Sequence, residues 1–364
     1  MRIKEAMRGH VAEQSSMLCL ISIESRVAVD HPLRTIKRLA DEALSQLGRT
    51  FSRMYAKHGR PSVPPERLLK ALLLMALHSV RSERQLCEHL EYNLLFRWFL
   101  DMDAVEPSFD ASTFSHNRER LLHHEVAPRF LCAVIAQAKA AGLMSAEHFS
   151  VDGTLIEAWA SIKSFRPRGR DDSDGQGWGD FVGEQRTNDT HESKTDPEAR
   201  LMRKGNGREA KLSYSGHALM ENRHGLLVDL RIAQADGRAE RDVALQMFDA
   251  ALANGTRTTV AADRGYDTRD FVARCRQRRL TPHIAQNVSN GRRSAIDGRT
   301  TRHAGYRMSL RARMLIEKIF GWVKTVGRLR RTRFRGKRRT QLAATMVAAA
   351  YNLLRMSRLL ANSP

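Results

Sequence analysis

Three acids, Asp152, Asp263 and Glu317, stand out because of what surrounds each of them. Asp152 sits inside the apolar run FSVDGTLI, residues 149–156, which reads as a strand. Asp263 ends a second apolar run, Val260 to Ala262. Glu317 is one of only two acids in the 48 residues from Arg292 to Arg339, which carry 17 Lys and Arg. If the two strands are neighbours, the two aspartates face each other across roughly 5 Å. Bare carboxylates at that distance repel, and one takes up a proton unless a cation lies with them. Their hard oxygens suit Mg²⁺ or Mn²⁺. Three carboxylates can hold two such ions, one to activate an attacking oxygen and one to stabilise a leaving oxygen. That is chemistry for a phosphodiester. On an unbroken helix Arg313, Glu317 and Lys324 fall at about 0°, 40° and 20°, a single face. The two cations are then placed to hold a nucleic-acid backbone. Each residue also has an ordinary reading. Arg313 and Glu317 make a common i,i+4 surface pair, and Asp-Gly at 152–153 is a turn signal. Their combination in one order of strands and helix favours the chemistry.

The elements that must position these acids follow from periodicity. Residues 1–143 read as all-helical. HPLRTIKRLADEALSQL has helical spacing, Pro64 and Pro65 open a helix through Leu77 with Glu66 in its first turn, and Ser82 with Gln85 forms a capping box. Leu86, Leu90, Leu94 and Leu95 continue an apolar stripe, and a third helical unit ends at Gly142. Such a region is a helix-turn-helix reader of DNA or a bundle that packs or dimerises. From His148 the pattern becomes strand, strand, strand, helix, strand, helix, strand, helix: 148–156, 211–221, 226–234, 240–255, 256–263, 268–279 with Asp267 as its cap, 280–286 and about 309–326. This implies an α/β catalytic region, residues 144–364, after an all-α N-terminal domain. Between the first two strands lies a polar insertion, 161–207. From Asp171 to Glu198 it holds nine acids against Arg186 and Lys194, and it reads as a long, poorly ordered loop, a solvated tether or a flap over basic surface.

Charge narrows the partner. The formal charge is +21 and the pI about 10.6, with 42% apolar residues. A polyanion is expected, and residues 292–339 alone carry +15. No signal peptide and no bilayer-length apolar run is visible; LLKALLLMAL, Leu68 to Leu77, is short and contains Lys70. Nucleic acid is therefore expected rather than membrane. Cys19, Cys87, Cys132 and Cys275 lack metal spacing and read as buried residues in a reducing cytoplasm; His123 and His124 read as surface. No phosphate-binding glycine loop follows a strand, which argues against a nucleotide-dependent enzyme.

These blocks resemble bacterial insertion-sequence transposases of the DDE type, in the insertion-sequence-five group. HFSVDGTLIEAWASIKSFRP resembles the block of the first aspartate, AADRGYDT that of the second, and LIEKIFGWVKTVGRLRRTRFRG that of the glutamate. RPSVPPERLLKALLLMALHSVRSERQLCEHL resembles the N-terminal domain of the same proteins. The resemblance implies an RNase H-like mixed sheet with flanking helices and Asp152, Asp263 and Glu317 as ligands of two Mg²⁺ or Mn²⁺ ions. It implies binding of double-stranded DNA at terminal inverted repeats, cleavage at the element ends and transfer of the 3′-hydroxyl ends into target DNA. A homodimer on two element ends, in the bacterial cytoplasm at the nucleoid, fits that activity. The signature around the glutamate is Tyr, two residues, Arg, three residues, Glu, six residues, Lys. Arg313, Glu317 and Lys324 match it, while Leu310 takes the tyrosine position and Tyr306, one turn earlier, is the candidate substitute. Arg328, Arg330, Arg331, Arg333 and Arg335, followed by Lys337, Arg338 and Arg339, are expected to track phosphates. Trp159 and Trp322 are expected in the core, with stacking on an unpaired base as the alternative. A Mg²⁺-dependent nuclease or resolvase of the same fold, or an inactive DNA-binding derivative, shares all these features.

Overall fold

Among the described residues eight helices precede the first strand: α1 Ile23–Arg26, α2 Pro32–Ser45, α3 Gly48–Met54, α4 Pro65–Leu77, α5 Glu83–Tyr92, α6 Leu94–Phe99, α7 Ala111–His123 and α8 Val126–Ala140. The computed structural model describes residues 22–55, 58, 62–168, 187–205, 207–236, 239–252 and 258–362. Helix starts follow the local chemistry. Pro65 occupies the first turn of α4 with Glu66, and Ser82 Oγ accepts from Gln85 N at 3.1 Å. The Gln85 side chain reaches back to Arg81 N, at 2.9 Å, one residue beyond the position a capping box prescribes. Two expected continuous helices are divided. Asn93 accepts from Phe96 N and starts α6 afresh, and Glu125, at φ +51°, separates α7 from α8. Gly142, at φ +68°, follows the end of α8 as expected. Helix α4 is buried on every side from Leu68 to Ala76, so it is a core helix. Its Lys70 ammonium is buried too, paired with Asp41 at 2.6 Å and with Asp101.

The remaining elements are β1 His148–Glu157, β2 Phe165–Pro167, β3 His191–Ser193, β4 Arg200–Arg203, β5 Ala210–Glu221, β6 Leu227–Gln234, α9 Ala239–Ala251, β7 Thr258–Ala262, α10 Arg269–Gln277, β8 Leu280–Ile284, α11 Gly298–Thr301, α12 Ala304–Arg313, α13 Leu315–Thr325 and α14 Lys337–Ala361. The main sheet runs β4-β5-β1-β7-β8, with β6 also paired to β5. β5 is antiparallel to β1, β4 and β6, whereas β1, β7 and β8 are mutually parallel. Parallel neighbours need crossovers, and α10 supplies the one from β7 to β8. The expected fold class, a mixed sheet with flanking helices behind an all-helical region, is the one found.

Several expectations are corrected. The insertion is not one loop: its described parts include the two-stranded antiparallel β2–β3 sheet and the edge strand β4. Asp196 is buried, accepts from Tyr214 Oη at 2.7 Å and receives Gly336 N at 3.3 Å; Glu198 accepts from Lys337 N at 2.7 Å, at the start of α14. Residues 169–186 of the insertion lie outside the described residues. The helix expected at 309–326 starts at Ala304 and divides at Met314. Thr268, not Asp267, caps α10; Asp267 instead accepts from Asn287 N and Ala295 N. Cys275 is buried as expected, but Cys132 is exposed and Cys87 half-buried, while Cys19 lies outside the described residues. His123 and His124 are on the surface. No helix among the described residues is long and apolar enough to cross a membrane.

The two halves meet in one core. The apolar cluster that contains Leu33 and Phe130 also contains Ile156, Ile316 and Leu353. Helix α14 is its spine, lying against α2, α4, α7 and α8 on one side and β6 on the other. A sheet edge buried under a helix needs its backbone groups satisfied. Gln341 does so for Ile232 N and Leu230 O, each at 2.7 Å. Asn352 does so for Leu227 N and Leu227 O, each at 2.8 Å. Asn352→Ala therefore strands two buried backbone groups and is expected to lower the unfolding free energy by about 2–4 kcal/mol. Urea denaturation checks the loss, and amide exchange in α2 and β1 should rise together because both depend on α14.

Candidate active site

Strand β7 pairs with only the first part of β1, His148↔Thr259, Phe149↔Val260 and Ser150↔Ala261. Continuing that register by two residues sets Asp263 abreast of Asp152. β7 ends at Ala262, and Asp263 turns the chain by accepting from Gly265 N at 2.8 Å. β1 runs on to Glu157, so its edge beyond Asp152 has no strand beside it until the arginine-rich segment arrives. There Glu157 N donates to Arg330 O at 3.0 Å and Thr332 N donates to Glu157 O at 2.8 Å. The open edge is faced by α12 and α13. Arg313 pairs with Asp152 Oδ2 at 3.1 Å, and Lys324 Nζ donates to Thr154 Oγ1.

The division at Met314 replaces the single helix face expected for Arg313, Glu317 and Lys324. Arg313 ends α12 and Glu317 opens α13. Arg313 and Lys324 nevertheless reach the same face of β1, two residues apart. Glu317 is exposed, and its charge acts on Asp152. Burial pushes the Asp152 carboxyl up to about 6. The Gly153 N–H, 2.8 Å from Oδ1, opposes that rise, Asp263 reinforces it, Arg313 opposes it and Glu317 adds to it. The structure thus gathers negative charge around Asp152 with one guanidinium in direct contact. Among the described residues no group of three or more His, Cys, Asp or Glu side chains is drawn close enough to hold a metal ion. The chemistry of these carboxylates, though not their spacing in this structure, suits a hard divalent cation, because mutually repelling carboxylates are what such an ion relieves.

A fourth acid reaches this place. Glu240, in the first turn of α9, presents Oε1 2.3 Å from where a Cβ on Gly153 would sit. Its carboxyl is raised by burial, then by Asp263 and Asp152. The sequence reading placed Glu240 only in the 240–255 helix; the available signal was the glycine directly after Asp152, inside a strand.

The basic residues separate into different jobs. Arg328, Arg330 and Arg335 are exposed. Arg331 lies over the Trp159 ring at 5.4 Å and donates to Ala158 O and Trp159 O. Arg333 leaves the expected phosphate track: it pairs with Glu83 at 3.3 Å and donates to Arg81 O at 3.1 Å. Arg118 pairs with the same Glu83 oxygen. Arg333 therefore joins the arginine segment to α5. Lys337 and Arg338 are exposed, while Arg339 pairs with Glu119 at 2.7 Å. Lys324 is half-buried, and its pKa is lowered by burial and then by Lys204 and Arg330. Tyr306 does not stand in for the missing tyrosine. It is buried, and its hydroxyl donates to Ile284 O at 2.9 Å. Leu310 packs on the core beside it. Trp322 packs edge-on against Tyr351 as expected of a core residue, but Trp159 is 49% exposed, contrary to its expected burial.

Two family profiles match the chain: a transposase domain (DUF772) over residues 21–120, and the transposase DDE domain over residues 146–353. No curated protein matches. Among solved structures, the chain is similar to a piggyBac transposase synaptic complex with hairpin DNA, at 10% identity and a TM-score of 0.42, covering 93% of this chain and 78% of that one. It is also similar to the Mos1 strand transfer complex, at 10% identity and a TM-score of 0.20, covering 76% and 78%. The DDE-domain match extends over more than half of the residues and includes Asp152, Asp263 and Glu317, so the protein belongs to the DDE transposase family, with a second transposase domain ahead of the catalytic one.

Proposed function

We propose that the protein is an insertion-sequence transposase of the insertion-sequence-five group. It binds the terminal inverted repeats of its element, cleaves at the element ends and transfers the freed 3′-hydroxyls into double-stranded target DNA. What supports this reading is the β1–β7 register, which, continued two residues past its last pair, brings Asp263 level with Asp152, beside an edge lined by Arg313, Lys324 and Arg330. Asp152, Asp263 and Glu317 would hold two divalent ions, Mg²⁺ or Mn²⁺, which supply Lewis-acid stabilisation to an in-line displacement at phosphorus. The rest falls to the chain's own groups. Arg313 restrains the Asp152 carboxylate. Lys324, close to Lys204 and Arg330, forms part of a positive strip beside β1 that suits a phosphate backbone. Arg328 and Arg335 extend that strip. Two element ends require two active sites, so the working complex is a homodimer at the nucleoid.

Asp152→Asn, Asp263→Asn and Glu317→Gln are each expected to slow nicking and joining of labelled element-end DNA by about 10³-fold, an added barrier of about 4 kcal/mol, while retaining DNA binding. EDTA should abolish both reactions. Undiminished cleavage by the Asp152 variant removes the reading. Joining of pre-cleaved ends separates a transposase from a nuclease or resolvase, which nicks and does not join.

The two kinds of arginine should behave differently. Arg328→Ala and Arg330→Ala are each expected to reduce the slope of log affinity against log salt by about one. Arg333→Ala should leave that slope unchanged and lower the unfolding free energy by about 1–3 kcal/mol, through loss of a charged hydrogen-bonding partner of Glu83. Filter binding at several salt concentrations and urea denaturation measure the two effects.

A further inference from the structure

Side chains alternate along a strand, so Asp152 and Thr154 point to the α12–α13 side of β1 and Gly153 points to the other. On that other side a Cβ at residue 153 would lie 2.3 Å from Glu240 Oε1 and 3.4 Å from His217 Nδ1. The glycine thus lets a carboxylate rest directly on the strand, one residue from Asp152. Because β7 stops at Ala262, no neighbouring strand closes the gap between the two sides at this point.

Resting on the transposase reading above, we propose that Glu240 is a fourth carboxylate of the catalytic centre. It faces the divalent cation from the α9 side of the sheet, and Gly153 and Tyr266 position it.

Three observations carry this beyond a cluster of acids. First, among the described residues no cation forms an ion pair with Glu240; the neighbouring Arg241 donates instead to Gly265 O at 3.1 Å. Second, the Tyr266 hydroxyl, on a fully buried side chain, turns toward Glu240 and meets no other polar group. Third, His217 is 1% exposed; its Nε2 lies 3.0 Å from Ser215 Oγ, while its Nδ1, on the Glu240 side, has no partner. A buried polar atom without a partner, as at His217 Nδ1, calls for an ion or its water. The α9 dipole does favour acid in its first turn, but the exposed Asp242 provides that without burial.

The test is Mn²⁺ binding to the full chain without DNA, followed by titration calorimetry and electron paramagnetic resonance. Wild type is compared with Glu240→Gln, Gly153→Ala and Asp152→Asn. Glu240→Gln should weaken Mn²⁺ binding about 10- to 100-fold, leave the metal-free melting temperature unchanged and recover cleavage at raised Mn²⁺. Gly153→Ala keeps every acid but displaces Oε1, so it should show the same weakening. It carries the test alone if Glu240→Gln does not fold. Wild-type Mn²⁺ affinity in Glu240→Gln or Gly153→Ala, beside a loss in Asp152→Asn, overturns the proposal and leaves the transposase reading standing. Equal Mn²⁺ binding by wild type and Asp152→Asn overturns that reading and the proposal with it.

Discussion

Repulsion between Asp152 on β1 and Asp263 just past the end of β7 is the constraint on which this end of the protein depends. The β1–β7 pairing is short, and it stops at Ser150 and Ala261, two residues before Asp152 and Asp263. Beyond it β1 offers a backbone edge with no partner strand, and the chain brings positive charge to that edge from two sources. The α12–α13 pair delivers Arg313 and Lys324, and the segment before α14 delivers Arg330 and Arg331. Burial and negative neighbours together raise Asp152 to about 6, so the site carries a charge imbalance that a divalent ion relieves.

The same arginine-rich segment also has a structural role. Arg333 is tied to Glu83 in α5, Arg331 holds the backbone at Ala158 and Trp159, and Gly336 is held by Asp196 from the insertion. The helical half, the insertion and the catalytic strand therefore meet at one stretch of chain. A shift at that stretch would be felt at β1 through the Glu157 bridge. The exposed guanidiniums of Arg328, Arg330 and Arg335 project from a segment whose backbone is already fixed.

Much of this was legible from residue patterns, and what was not has identifiable causes. β1, β5 and β6 are long and apolar enough to announce themselves, and Ser82 with Gln85 marked a helix start correctly. The insertion misled because β4 is a short edge strand with half-exposed side chains, and such a strand needs no apolar run. Helical angles placed Arg313, Glu317 and Lys324 on one face, but angle counting cannot see a division at Met314. Charge counting likewise treated all the arginines alike. Arg333 differs from Arg328 through Glu83 and the Arg81 carbonyl, both far away in the chain, which no local pattern reveals. Glu240 was invisible for the same reason: its relation to Asp152 exists only across the sheet, through the missing side chain of Gly153.

The order of synthesis gives α14 a further consequence. Of the described elements it leaves the ribosome last, yet it closes the helical bundle and covers the β6 edge through Gln341 and Asn352. A nascent chain that has already made Asp152, Asp263 and Glu317 still lacks the helix against which both halves settle. Folding from the first residue onward, the usual course for multidomain chains, cannot finish either half ahead of the other. The half that holds Asp152, Asp263 and Glu317 thus settles only after translation has passed Glu317 by a further forty-odd residues, a delay written into the topology itself.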